Sequence, residues 1–242
     1  MYMNRGGAAI LGGCALLAAT AAEAAPVDIT VCRTISAAGI YRLQATLRPT
    51  GNCLVVSGSF ITIDLNGFAL IGRGQGVGIT DTPGNRKGIV VRNGSVSGFY
   101  QGIVFQNASD VSIENVRVID NGFQGIELYQ TGSVTRSVVT GNGGTGIGAS
   151  KGGIFTDNQI IGNRYDGLAT GPWSVVRGNV ARGNGGDGIN GIGVISGNTV
   201  YGNGSYGIRP GCPSSVIGNI GYNNGYGNIL VGTGCTYSDN AS

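Results

Sequence analysis

Three stretches decide the fold: VVTGNGGTGIGA (residues 138–149), QIIGNRYDGLAT (159–170) and VARGNGGDGING (180–191). They are copies of one unit set 21 residues apart. Outward from them, a Gly-Ile or Gly-Leu pair recurs at Gly78-Ile79, Gly102-Ile103, Gly125-Ile126, Gly146-Ile147, Gly167-Leu168, Gly188-Ile189 and Gly207-Ile208, and Ile229 closes the series. The steps are 24, 23, 21, 21, 21, 19 and 21 residues. Asn121, Asn142, Asn163, Asn184, Asn203 and Asn224 each lie five residues before the apolar member, and Asn158, Asn179, Asn198 and Asn219 lie five earlier still. Apolar positions keep the same phase, at Val118, Val139, Ile160, Ala181 and Val200, and at Ile113, Val134, Phe155, Val176, Ile195 and Val216.

Within a copy the apolar residues alternate over short runs broken by Gly and Asn, which is a strand signal and too short for a helix. The Gly that follows most of the main Asn residues reads as a turn needing positive φ. One such unit cannot bury its own apolar side chains, whereas stacked units can, each strand bonding to its copy ~4.8 Å above and below. The expected fold is therefore all-β: a single-stranded parallel β-helix solenoid of about eight rungs of ~21 residues, right-handed by the crossover rule. At ~4.8 Å per rung it is about 38 Å long. The aligned Asn rows are expected to form amide ladders. A β-propeller needs roughly 40–50 residues per blade and a leucine-rich repeat needs a Leu frame; neither is present.

Composition narrows the chemistry. Glycine makes up 48 of 242 residues and charged residues only 11 %, with a net charge of +3 and no basic cluster, so nucleic acid is not an expected partner. There is no histidine, which removes the commonest general base and zinc ligand. Residues 1–24 read as a signal peptide: Arg5, an apolar run from Ala8 to Ala22, and a cleavage site at Ala22-Glu23-Ala24. Leu11-Gly12-Gly13-Cys14 offers a competing lipobox with Cys14 as anchor, but cleavage there leaves an apolar Ala15–Ala22 tail, so the reading is a secreted or periplasmic protein. No later segment is apolar for long enough to span a membrane. Four cysteines remain, which in an exported chain reads as two disulfides. Of three connectivities, Cys32–Cys53 and Cys212–Cys235 are favoured because each pair lies near one end. The domain plan is 1–24 signal peptide, 25–60 capping segment, 61–242 β-helix, and the unit is expected to be a monomer.

The segment Cys32-Arg33-Thr34-Ile35, Gly39-Ile40-Tyr41-Arg42-Leu43, Cys53-Leu54-Val55-Val56 and Ile63-Asp64-Leu65-Asn66-Gly67 resembles the opening of pectate-lyase-like and NosD-like right-handed β-helix proteins. The resemblance continues through the repeats. It implies polysaccharide lyases, hydrolases, uronate epimerases and non-catalytic exported proteins as the functional range. This chain departs from the pattern after Gly67, with Phe68 where a histidine is often found. That departure weakens a catalytic or metal role carried over at that point; because the chain has no histidine anywhere, polygalacturonase-like and epimerase-like roles that use one are excluded, a lyase using Arg or Lys as base remains, and a copper-delivery role lacks ligands.

Stacking converts a fixed offset into a surface row. Gln124, Thr145, Asp166, Asp187 and Tyr206 share one row; Glu127, Asn190 and Arg209 share the next. Asp166 and Asp187 are expected side by side, with carboxylates ~5 Å apart, as a retaining-glycosidase pair or a calcium site bridged to an acidic sugar. The candidate catalytic set is Asp166, Asp187 and Arg209; the candidate substrate-binding set is Glu127, Tyr165, Asn190 and Tyr206. Calcium is the one cofactor considered, and none is required. Solvated turn aspartates are the plainer reading of the pair, since Asp before Gly is a common turn. Gly185-Gly186-Asp187-Gly188-Ile189-Asn190 looks like one calcium-binding nonapeptide, but that motif works in tandem every nine residues and here the period is 21. Two functions compete: an exported polysaccharide-binding or polysaccharide-modifying protein, and a non-catalytic surface scaffold.

Overall fold

The computed structural model describes residues 25–242; the signal peptide and Cys14 readings fall outside the described residues. The described chain winds as a parallel solenoid of two sheets, with ten strands in one and seventeen in the other. Among the described residues there is no helix. The ten-stranded sheet takes one strand per rung, running from Arg33–Ile35 through Ile126–Leu128, Ile147–Ala149, Leu168–Thr170, Ile189–Gly191 and Tyr206–Pro210 to Gly227–Ile229. The other sheet takes the two remaining strands of a rung, such as Gly153–Thr156 and Gln159–Ile161.

The solenoid has ten rungs, two more than the marker series predicts. The extra rungs come from Arg33–Ile35 and Leu54–Val56, which pair in parallel with each other and then with Val77–Asp81. Residue 54 aligns with residue 79, a step of 25, and neither strand is preceded by the Asn and Gly markers, so the series misses them. Nine gaps of ~4.8 Å separate the first rung from the last, about 43 Å.

The interior follows the sequence rows. Ile103, Ile126, Ile147, Leu168, Ile189, Ile208 and Ile229 align Cα to Cα in one column, and all but Ile229 are fully buried. Each such side chain contributes roughly 1.5–3 kcal/mol by leaving water. Columns through Val139–Ile160–Ala181 and Val134–Phe155–Val176 complete the core.

Two asparagine ladders run along the turns. Asn163 shows the unit: its Oδ1 accepts the backbone N–H and the Nδ2 of Asn142 (3.1 and 2.9 Å), while its Nδ2 donates to Asn184 Oδ1 and to the Val139 carbonyl (3.0 and 3.2 Å). The second ladder passes from Ser137 through Asn158, Asn179, Asn198 and Asn219 to Asn240. Every buried amide is thus satisfied by its copy in the next rung. Left-handed backbone lies before the ladder Asn, not after it: Gly141, Gly162, Gly183 and Gly202 have φ between 62° and 67°. The glycine after the main Asn is required by stacking, since a Cβ on Gly143, Gly185 or Gly204 would strike a backbone carbonyl of the preceding rung.

Disulfides Cys32–Cys53 and Cys212–Cys235 join successive rungs near the two ends, with Cα–Cα distances of 4.5 and 5.1 Å. Residues 171–174 join the aligned positions Thr170 and Val175, and 211–214 join Pro210 and Ser215, but only 192–193 join Gly191 and Val194. The 19-residue rung is short at this corner.

Candidate functional site

The outward row of the ten-stranded sheet reads Glu127, Gly148, Ala169, Asn190, Arg209 in strict register. Strand side chains alternate inward and outward, so the residue after each core Ile points to solvent. Where that residue is Gly148 or Ala169 the sheet face is almost bare. The result is a trench of about 260 Å³ floored by Gly148 and Ala169, with Glu127 at one end and Asn190 at the other. Those ends are three rungs apart, ~14 Å. Thr145 stands on one wall, with Ser150 and Gly171 on the other.

Glu127 lies down over Gly148: a Cβ added there would collide with Glu127 Oε2. Burial in this position pushes its carboxyl up from 4.5 to about 7. The group therefore passes between acid and carboxylate near neutral pH. Thr170 also lines the trench, and its Oγ1 is buried without a hydrogen-bond partner.

Asp166 and Asp187 are neighbours, as the period requires, and their oxygens hold the turn. Asp166 Oδ1 accepts the Asp187 N–H (2.8 Å), and its Oδ2 accepts Asn190 Nδ2 (3.2 Å). Asp187 is 1 % exposed; its Oδ1 accepts the Tyr206 N–H (3.0 Å) and its Oδ2 takes a close ion pair from Arg209 Nε. Asp166, Asp187, Asn190, Tyr206 and Arg209 thus form one connected cluster at the far end of the trench. Glu127 stands apart, four rungs (~19 Å) from Arg209. Tyr165 projects from the adjacent corner row with the Arg164 guanidinium 5.9 Å from its ring, and Tyr206 meets Tyr226 edge-on at 6.0 Å.

Among the described residues no three His, Cys, Asp or Glu groups converge as a metal-binding cluster. A cation at Asp166 would need most of its ligands from water or sugar. Sequence reasoning missed Gly148, Ala169 and Thr170, and it placed Thr145 in the Asp166 row without a role. The signal was present as small residues in the Glu127 row, but a floor is made by missing side chains, which no motif records.

A family model described as the right handed beta helix region matches residues 34–174 and 101–242. No curated protein matches the sequence. Among solved structures, the Dettilon tailspike protein gp208 is 14 % identical with a TM-score of 0.66, over 88 % of this chain and 54 % of its own. Pectate lyase Pel9A is 16 % identical with a TM-score of 0.62, over 85 % and 72 %. The A-module of Azotobacter vinelandii mannuronan C-5 epimerase AlgE4 is 14 % identical with a TM-score of 0.61, over 87 % and 63 %. This chain spans about half the length of the tailspike. At such identities the likeness is one of fold, and with the family match over most of the sequence it leads to one assignment: the chain belongs to the right-handed β-helix family.

Proposed function

We propose that this chain is an exported protein that binds a polysaccharide lengthwise in the trench between Glu127 and Asn190. The observation that carries the reading is the bare floor at Gly148 and Ala169, flanked by Thr145, Thr170 and Asn190 and closed by a carboxyl poised near neutrality. A chain of hydroxyl-bearing rings fits such a surface, since each wall offers donors and acceptors in steps of ~4.8 Å. Two neighbours of the same fold, a pectate lyase and a mannuronan epimerase, support a polysaccharide as the partner class. The two disulfides support an oxidising, exported setting.

A second reading makes the chain a lyase or hydrolase on acidic sugars. It draws on Asp166, Asp187 and Arg209 meeting at one end and on Glu127 as a group able to give or take a proton at neutral pH. Calcium at Asp166 belongs to this reading, as a bridge to sugar carboxylates.

The test is a glycan array with the full chain, with and without calcium, followed by calorimetry on the hits. Ala169→Phe, an outward change that fills the floor, is expected to abolish trench binding while the fold persists. Binding unchanged in Ala169→Phe moves the site elsewhere, and no glycan bound at all leaves a scaffold. Product release from a uronate polymer that is lost in Asp166→Asn would select the enzymatic reading.

A further inference from the structure

The geometry points to a second carbohydrate subsite, around the corner from the trench, in which Trp173 stacks on a neutral pyranose ring. The inference rests on the polysaccharide reading and adds a site to it. It begins with the short rung. Two residues fewer between Gly191 and Val194 notch the corner of the rod there, while the rungs on either side keep their full turns. The notch, about 400 Å³, has Ile192 and Val194 as its floor, Pro172 and Trp173 as one wall and Pro213 as the other. A second hollow of about 530 Å³ lies on the opposite side of the same indole, against Ile154 and Val175.

Trp173 itself is 89 % exposed and sits at φ 66°, a left-handed conformation that a bulky side chain rarely adopts. The surrounding turn fixes it: Gly171 N–H donates to the Ala149 carbonyl, Ser174 N–H to the Ile192 carbonyl and Ser174 Oγ to the Gly171 carbonyl. The fold thus holds its one tryptophan upright in water with open space on both sides, where burial against Val175 or Val194 would have gained free energy. Ile154, Val175 and Val194 lie side by side in successive rungs and are all exposed, so the indole stands over an apolar strip.

The chemistry around it selects the ligand. Neither hollow contains an Asp or Glu, and Lys151 is the sole charged lining residue. Ser215 and Thr236 rim the notch. An apolar floor, an aromatic wall and a hydroxyl rim match a sugar ring, which offers C–H groups on its face and hydroxyls at its edge. Size argues against a stable protein partner. Three rungs by some four residues of strand cover roughly 14 × 13 Å, about 180 Å², where a specific interface needs about 800 Å² per partner.

Because Trp173 is the only tryptophan, its emission reports this site alone. The full chain is titrated with cello-, xylo-, manno- and maltohexaose. At least one is expected to shift or quench the emission saturably, and to do so equally in Ala169→Phe. Calorimetry with the same sugar should weaken at least tenfold in Trp173→Asn, which tolerates the left-handed backbone, and much less in Trp173→Tyr. An emission unmoved by all four, with glycans still binding in the trench, overturns this site and leaves the trench reading intact. Binding at neither place overturns both. A dimer that Trp173→Asn dissociates, with no response to sugar, makes the patch a contact between copies and ends the proposal.

Discussion

Replacing Glu127 by Gln gives the sharpest physical test of the trench. The carboxyl titrates at 4.5 in an unfolded chain and near 7 in the folded one. Between those values the folded state keeps a proton that the unfolded chain has released, so stability falls as pH rises through the window. A displacement of that size corresponds to at most about 3 kcal/mol at 1.36 kcal/mol per pH unit; solvent reaching the partly open trench reduces it to about 1–2 kcal/mol. Gln keeps the shape and removes the titration. Glu127→Gln should therefore match the parent below pH 4.5 and exceed it by about 1–2 kcal/mol above pH 7, a rise in Tm of roughly 2–8 °C for a chain of this size. Thermal melts at pH 4 and pH 8 decide the matter. An equal Tm difference at both pH values, or a loss at pH 8, would mean that the carboxylate is stabilised where it lies and that burial does not govern it.

Asn163→Ala removes the acceptor of two Asn142 donors inside the main ladder. At 1–3 kcal/mol for each buried group left unpaired, the cost is about 3–5 kcal/mol, read by urea denaturation; a loss under 1 kcal/mol would show that water replaces the ladder. Cys212→Ser with Cys235→Ser opens a link of sequence separation 23, worth about 3 kcal/mol by loop entropy. Its loss should raise hydrogen exchange in Gly227–Ile229 and Thr236–Ser238 before the middle rungs, and uniform exchange would refute local stapling. Arg209→Gln strips the cation from buried Asp187. It should cost about 1–3 kcal/mol in urea denaturation, less than a fully buried pair because Arg209 is half exposed; a loss under about 0.5 kcal/mol would show that the pair carries no net stability.

The interior was legible because the period is nearly constant. Once Ile126, Ile147 and Leu168 are 21 apart, a stacked column is the arrangement that buries all three, and the Asn rows follow the same arithmetic. The first two rungs were not legible, because the step from Leu54 to Ile79 is 25 and their turns are built without ladder Asn. Positive φ falls two residues earlier than the sequence reading places it, before the ladder Asn and not after it. Composition shows that the turns need glycine, but whether φ or a neighbouring carbonyl demands it depends on how closely two rungs approach. At the site, the sequence brought Asp166, Asp187 and Arg209 together correctly as neighbours. It could not reveal that both carboxylates accept backbone N–H groups, because those donors belong to the next rung.

The ladders explain why such a rod can carry a site at all. Backbone pairing, the Ile column and, from Asn121 onward, the amide rows fix the rungs using inward side chains and turn residues, so the outward positions on the flat sheet face are free of structural duty. Gly148 and Ala169 can then replace larger residues at little cost, and two residues can be dropped at 192–193 without disturbing the register of Ile189 and Ile208. Both hollows are made by omission against a constant frame: side chains missing from one row, residues missing from one corner. The asymmetry between Asp187 and Glu127 follows from the same frame. Asp187 stands at a turn where the next rung presents an N–H and Arg209, so its charge is met; Glu127 stands on the flat sheet face, where successive backbones spend their hydrogen bonds on each other and leave it none. A carboxyl on that face is drawn toward its neutral form by the architecture, which is why the proton-exchanging group of the trench stands at Glu127.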